Sequence, residues 1–275
     1  LTLICDIVIL SFLQLNFRRP VEKFIALYDS HWGYERRNGH KLALHDEKAL
    51  NVAIQFVEDF KPDHVVLGGD ILDCGAISHH NHGKPGATEG FRLLADAREC
   101  QEAIIKPIEK YGKKSLTYIV GNHEDWLTDL VEQIPALEGI VDVKSVLKLN
   151  DKWKIVPQGE SHKLGKLVFI HGDQVKGGEH SAKWAVQAYE RNVRFGHHHT
   201  YQIFTKTSAV EANGHTGICV PCLCRKGPKY GGGAPNKWMQ GFLWGYVNGP
   251  DNSFNDYVTV IVNGNATING KSYKG

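Results

Sequence analysis

The chain has 275 residues, of which 42% are hydrophobic and 23% charged, and its formal net charge is +2. That length suits one large α/β domain or two small ones, and the composition is that of an ordinary globular protein. The near-neutral charge argues against a broad basic face for gripping a nucleic-acid duplex. The 6 cysteines (Cys5, Cys74, Cys100, Cys219, Cys222 and Cys224) are few for the length and lack the spacing of a disulfide framework. They point to a reducing compartment, and so to the cytoplasm.

Leu1 to Phe17 is strongly apolar and is followed by Arg18-Arg19-Pro20. The stretch sits near the lower limit for a membrane span, contains Asp6, and lacks the basic start and cleavage site of a signal peptide. Residues 1–20 therefore read as an apolar extension of open role, and residues 21–275 as one domain. Glu22 to Tyr28 reads as a buried strand, with Asp29 at its end. A helix opens at His45-Asp46 and runs to Phe60, with Leu50, Ile54 and Val57 on one face. His64 to Leu67 is a second strand that Gly68-Gly69 ends, so Asp70 falls at its tip. Residues 75–90 read as a Gly- and His-rich loop, and Phe91 to Lys110 as a helix bent or stopped near Pro107.

Leu116 to Val120 is a third strand, delivering Asn122 and His123 ahead of a helix from Asp125 to Ile134. Trp153 to Val156 and Leu167 to Ile170 are strands, the second ending at His171. Ser181 to Asn192 is helical by pattern, and Val193 to Phe195 is a short strand before His197 and His199. Strands follow at Tyr201–Val210, Gly217–Leu223, Phe242–Val247 and Tyr257–Val262. Strands alternating with helices, then a run of strands, predict an α/β sandwich. In open α/β sheets ligands bind beyond the carboxyl ends of strands, where all these polar residues fall.

The polar residues form ordered blocks: Asp29-Ser30-His31, Gly69-Asp70-Ile71-Leu72-Asp73, Gly121-Asn122-His123-Glu124, His171, and Gly196-His197-His198-His199. Carboxylate, amide and imidazole donors in this mixture suit two divalent cations held close together, an arrangement suited to phosphoryl chemistry. The blocks resemble the pattern of the calcineurin-like metallophosphoesterase superfamily: D-x-H, G-D-x-x-D, G-N-H-[D/E], an isolated His, then G-H-x-H. The resemblance spans residues 29–199. Cys222-Leu223-Cys224 and the run Lys237 to Phe242 are similar to a phage and bacterial branch of it. The resemblance implies a four-layer α-β-β-α sandwich with two mixed sheets face to face.

Carried over block by block, it also implies one metal on Asp29, His31, Asp70 and His199. A second falls to Asp70, Asn122, His171 and His197. Asp70 would bridge, one oxygen to each metal, and a bridging hydroxide would attack phosphorus in line. Manganese, iron or zinc suits these donors, with manganese favoured. His123 would act as general acid, oriented by the Asp73 carboxylate. Glu124 either takes part or caps the following helix. In an extended segment His197 and His199 share a side and His198 points away.

Other residues carry two readings each. His79, His80 and His82 either contact substrate or belong to a solvated loop. Trp126 either packs in the core or stacks a base. Residues 225–237 are either a surface loop or a cover for an anionic substrate. Cys219, Cys222 and Cys224 form either a zinc or redox cluster or small buried side chains near the site. Protein phosphatases of the superfamily carry G-D-x-H-G and G-D-x-x-D-R-G. Here Gly33 is displaced and Cys74 replaces that arginine, so no guanidinium clamps a monoester dianion at that position. The expected activity is therefore a phosphodiesterase acting on a nucleotide or single-stranded nucleic acid. A broad phosphomonoesterase and a non-catalytic metal-containing module are the alternatives.

Overall fold

A computed structural model describes residues 20–37, 40–81, 83–210, 214–227, 237–249 and 251–275. The apolar extension, apart from Pro20, lies outside them, as do His82 and most of the 225–237 loop. Among the described residues no helix is long and apolar enough to cross a membrane.

Two mixed sheets form the centre. The first contains β1 (Glu22–Leu27), β4 (His64–Leu67), β5 (Ser115–Ile119), β6 (Trp153–Val156), β12 (Gln240–Val247) and β13 (Phe254–Ile261), in the order β13-β12-β1-β4-β5-β6. The strands from β1 to β6 in that order run parallel, and β12 and β13 are antiparallel to their neighbours. The second contains β7 (His162–Leu164), β8 (Leu167–Phe169), β9 (Asn192–Phe195), β10 (Gln202–Lys206) and β11 (His215–Cys219), in the order β10-β11-β9-β8-β7. Here β8, β9 and β11 are parallel, with antiparallel edges.

Two small hairpins complete the strands: β2 (Tyr34–Arg37) with β3 (His40–Ala43), and β14 (Asn265–Ile268) with β15 (Lys271–Lys274). Neither hairpin, nor β7, follows from the hydrophobic pattern, because each strand is only three or four residues long and rich in polar side chains.

Strand periodicity explains the layers. Phe24 and Ala26 of β1 face the second sheet and pack with Val66, Ile119, Leu167, Phe169 and Ile218. Ile25 and Leu27, one residue out of phase, face the opposite way into a core covered by helices. That cover includes α1 (Glu47–Phe60), α2 (Leu93–Cys100) and α3 (Lys106–Tyr111). On the far side α5 (Ser181–Tyr189) packs Ala182 and Ala185 against Val168, Val193 and Phe195 of the second sheet. The order is helix, sheet, sheet, helix.

Several boundaries depart from the sequence reading. The α2–α3 helix runs through Pro107 to Tyr111. A π-helical turn, Gln101–Ile105, precedes the proline, and the Lys106 N–H bonds to the Gln101 carbonyl five residues back. That wider turn absorbs the missing N–H and ring bulk of Pro107. Residues 75–90 hold short turns Gly75–Ile77 and His79–Asn81 and a one-turn helix Pro85–Thr88, not an unstructured loop. Helix α4 (Asn122–Gln133) begins three residues before the expected Asp125. Helix α5 stops at Tyr189, where Glu190 turns left-handed (φ 47°), and the strand after Tyr201 ends at Lys206.

Phe56 of α1 is the aromatic hub of the helix-covered core, with ring centroids 4.9 Å from Phe60, 5.4 Å from Phe242 and 5.2 Å from Trp244. Phe56→Ala should lower the free energy of unfolding by about 3–5 kcal/mol, measured by urea denaturation. A loss below about 1 kcal/mol would mean that this cluster can collapse around the gap.

Candidate metal centre

The parallel strands point the same way, so β1, β4 and β5 end on one edge of the first sheet. There they deliver Asp29, Asp70 and Asn122. Strands β8 and β9 end on the facing edge and deliver His171, His197 and His199. Face-to-face packing closes the two edges on each other. The backbone at these tips is unusual. Asp29 (φ 50°), His31 (46°), Asp70 (52°), His197 (65°) and His199 (56°) are all left-handed. Each such residue costs on the order of 1–3 kcal/mol and persists only where its surroundings hold it. Residues 197–199 are thus a bend, not the extended segment expected. His198 nevertheless turns away, its Nε2 donating to the Val175 carbonyl at 3.1 Å.

Two close approaches require glycine. A Cβ on Gly121 would sit 2.2 Å from Asp70 Oδ1, and one on Gly196 would sit 2.3 Å from Asp29 Oδ2. Each glycine lets a neighbouring strand tip bring its carboxylate against the backbone.

Asp29 and Asp70 are both fully buried, and each has one oxygen tied to the backbone. Asp29 Oδ2 accepts from the His197 N–H at 2.9 Å, and Asp70 Oδ1 from the His123 N–H at 3.0 Å. The other oxygens face imidazoles. Asp29 Oδ1 lies 3.5 Å from His199 Nε2, and Asp70 Oδ2 lies 3.4 Å from His171 Nε2 and 3.7 Å from His31 Nε2. Asp70 therefore turns one oxygen, Oδ2, toward both histidine groups. Its other oxygen, Oδ1, accepts from the N-terminus of the helix that begins at Asn122. His31 Nε2 and His199 Nε2 oppose each other at 3.2 Å, and His171 Nε2 lies 3.0 Å from Asn122 Oδ1.

The protein sets the aim of these rings from behind. His171 Nδ1 donates to the Gly68 carbonyl at 3.0 Å, and His31 Nδ1 to Asp73 Oδ1 at 3.1 Å. Those contacts leave the Nε2 lone pairs facing the site. His123 Nδ1 donates to the backbone carbonyl of Asp73 at 2.8 Å, while the Asp73 carboxylate is 3.4 Å away. Asp73 thus meets His123 through both groups, with the carbonyl at the shorter distance, and its carboxylate also reaches His31.

Glu124 is 1% exposed and takes no position facing the imidazoles. Its carboxylate accepts from the N–H groups of Asp70 (2.9 Å), Ile71 (2.7 Å), Leu72 (2.9 Å) and Gly121 (3.0 Å), and from the Tyr118 hydroxyl (2.7 Å). It caps helix α4, as one of the two sequence readings has it. It also fastens the β4 exit to the β5 exit, which sequence could not show.

Electrostatics follow from burial. Desolvation opposes ionisation of Asp70, yet the nearby imidazoles of His171, His123 and His31 outweigh it and hold its carboxyl well below the usual range. Burial likewise opposes charge on His171, but Asp70 and Asp29 raise it to about 10. His123 is also raised to about 10, by Asp70 and Asp73 against burial. His197 moves the other way, to about 4, through burial and the His171 charge.

These residues fit cations. Asp29 Oδ1 is buried with no hydrogen-bond partner among the described residues. An unmet buried carboxylate oxygen is costly, and a divalent cation meets it. Ligating atoms of Asp29, His31 and His199 cluster within 4.8 Å, as do those of Asp70, His171 and His197. A third group, His31, Asp70 and His123, overlaps both.

Other residues lie around this centre. Trp126 is buried with its ring centroid 4.3 Å from His123, and the exposed His79 and His80 lie edge-on to it at 5.7 and 6.0 Å. Trp126 is thus a core residue, as one of its two readings has it, in ring contact with His123, His79 and His80. Trp238, which the sequence marked only as part of the Lys237–Phe242 run, packs edge-on to His199 at 4.2 Å. Cys224 Sγ lies 3.7 Å from His199 Nδ1. The sequence signal for these two was membership of the C-x-C and Lys237–Phe242 motifs.

A model of the calcineurin-like phosphoesterase family matches residues 29–219, the span that holds every strand tip described above. The chain belongs to that family. The Gene 54 protein of Mycobacterium phage L5 is 25% identical over 245 residues, covering 83% of this chain and 93% of the phage protein. Among solved structures, a dimetal phosphatase from Danio rerio is 10% identical with a TM-score of 0.40, covering 87% of this chain and 98% of that one. Purple acid phosphatase PPD1 from yellow lupin seeds is 14% identical with a TM-score of 0.37, covering 87% and 53%. The calcineurin-like family is dinuclear and metal-dependent, and this chain is a metal-dependent phosphoesterase.

The raised pKa of His171 makes metal binding a proton exchange. Below about 10 the metal-free ring is protonated, so a cation must displace that proton. Manganese affinity should therefore rise with pH across the neutral range. Calorimetry in buffers of different ionisation enthalpy should show proton release. A pH-independent affinity with no proton release would contradict this arrangement.

Proposed function

We propose that the protein is a two-metal phosphodiesterase acting on nucleotide or nucleic-acid phosphodiesters. Asp29, His31, Asp70 and His199 would hold one cation, and Asp70, Asn122, His171 and His197 the other. When bound, the pair supplies Lewis acidity at the phosphoryl oxygens and acidifies water.

The observation that carries the reading is the placement of His123. Its Nδ1 donates to Asp73 O, so its Nε2 is turned inward, 4.0 Å from Asp70 Oδ2. A proton on that Nε2 stands beside the ligand cluster, held by the Asp70 and Asp73 carboxylates. Phosphodiester cleavage expels an alkoxide, which leaves readily only if protonated, and a poised imidazolium provides that proton. Asp73 serves through its carbonyl on His123 and its carboxylate on His31.

Support for a diester comes from Cys74. It occupies the position where protein phosphatases of the family place an arginine. Its side chain is buried, and desolvation holds its thiol well above the usual pKa. No bidentate cation at that position rewards the second charge of a monoester. His79 and His80, exposed beyond Trp126, would meet the leaving group or the next phosphate, and manganese is the favoured cation.

Chelator-treated protein reloaded with manganese should hydrolyse a bis-aryl phosphate faster than the mono-aryl ester. Preference for the monoester would overturn the diesterase reading, and turnover of neither with two bound metals would favour a binding module. His123→Ala should lower kcat by about 10²–10⁴-fold while metal analysis still finds the wild-type content. Loss of metal in that variant would refute the acid role.

A further inference from the structure

The Cys219-x-x-Cys222-x-Cys224 motif is buried behind the candidate centre and has no part in the reaction described above. Its contacts begin at His199. One ring nitrogen of His199, Nε2, faces Asp29 Oδ1 at 3.5 Å and His31 Nε2 at 3.2 Å. The other, Nδ1, lies 3.7 Å from Cys224 Sγ. A neutral imidazole that offers its Nε2 lone pair to a cation carries its proton on Nδ1. That proton needs an acceptor, and the sulfur of Cys224 is the one placed there.

Sulfur accepts weakly, so the arrangement depends on what stands behind it. Cys222 Sγ lies within 4.8 Å of both Cys224 Sγ and His199 Nδ1 and donates to the Met239 carbonyl at 3.3 Å. The groups are therefore ordered as ring nitrogen, thiol, thiol and carbonyl, an order in which each proton has an acceptor ahead of it. The backbone holds the same residues together. The Met239 N–H donates to the His199 carbonyl at 2.8 Å, and the Cys222 N–H to the Met239 carbonyl at 3.0 Å.

We propose that Cys224, backed by Cys222, is the positioning residue that aims His199 Nε2 at its cation. This rests on the reading of His199 as a metal ligand. His171 and His31 are oriented by a carbonyl and a carboxylate, whereas His199 is oriented by a thiol pair. The His199 Nδ1, Cys222 Sγ and Cys224 Sγ atoms also cluster closely enough for a soft cation. Sharing His199 between two cations would require both of its ring protons to leave, so the hydrogen-bonded line is the arrangement compatible with an occupied centre.

Manganese titration calorimetry and metal analysis on chelator-treated Cys224→Ala, Cys224→Ser, Cys222→Ala and His199→Ala variants test this. Cys224→Ala should weaken one of the two manganese sites by about 10–100-fold and leave the other unchanged. Cys224→Ser, whose hydroxyl accepts and donates at the same place, should recover most of that affinity, and Cys222→Ala should lose less than Cys224→Ala. In cobalt-loaded protein the d–d absorption should shift in Cys224→Ala. It should not shift in Cys100→Ala, which removes a buried thiol elsewhere in the core. Thermal melting checks that each variant folds, and Cys224→Ser keeps the question open should Cys224→Ala not fold. Wild-type affinity at both sites in Cys224→Ala would overturn the proposal. So would a third, cadmium-binding site in the wild-type protein that Cys224→Ser abolishes, since the thiols would then be ligands. Two manganese ions retained by His199→Ala would instead refute the ligand reading beneath it.

Discussion

Four carboxylates, Asp29, Asp70, Asp73 and Glu124, are buried at one junction between two sheets. That much desolvated negative charge is the constraint around which the molecule is arranged. Glu124 is accommodated by five hydrogen bonds from backbone and tyrosine. Asp29 and Asp70 are accommodated by imidazoles and one backbone N–H each, and Asp73 by the His31 and His123 rings, with no hydrogen-bond partner for Asp29 Oδ1 among the described residues. The division separates structure from chemistry. Glu124 is saturated and builds the frame, whereas Asp29 and Asp70 turn an oxygen toward the imidazoles where cations fit.

The frame works because parallel strands end together. β1, β4 and β5 share an edge, β8 and β9 share the facing edge, and a dry layer of Phe24, Val66, Ile119 and Phe169 presses the sheets together. The left-handed turns at Asp29, His31, Asp70, His197 and His199 then bend the chain sharply beyond each strand. Such strain survives because the glycines beside it allow close approach, and because Glu124 and the backbone contacts hold the loops down. The partners behind the imidazoles are of three chemical kinds: carbonyl for His171 and His123, carboxylate for His31, and thiol for His199. They differ in strength as acceptors, which gives the two halves of the centre unequal support.

Much of this was legible beforehand. Hydrophobic runs located β1, β4, β6 and β12 closely, because those strands are buried and their side chains report it. The hairpins at 34–43 and 265–274, and β7, were not legible, because short strands rich in polar side chains carry little periodic signal. Helix α4 began earlier than expected because its first residues, Asn122 and His123, are poor helix formers that the Glu124 hydrogen bonds hold in place. The π turn ahead of Pro107 was not legible, because it is a backbone remedy that side-chain pattern does not announce.

The order and identity of donor residues, the α/β class and the glycines flanking the donors were set by sequence, since these are local and chemical properties. The face-to-face sandwich came from the family resemblance those motifs carry. Tertiary structure alone decided which oxygen of each aspartate is free, that Asp73 reaches His123 through its carbonyl, and that a thiol lies behind His199. It also decided that Glu124 joins two strand exits. Each is a matter of which lone pair or proton meets which partner across more than one strand. Such pairings depend on distances of about 3 Å between residues far apart in the chain, and those distances exist only once the two sheets have closed.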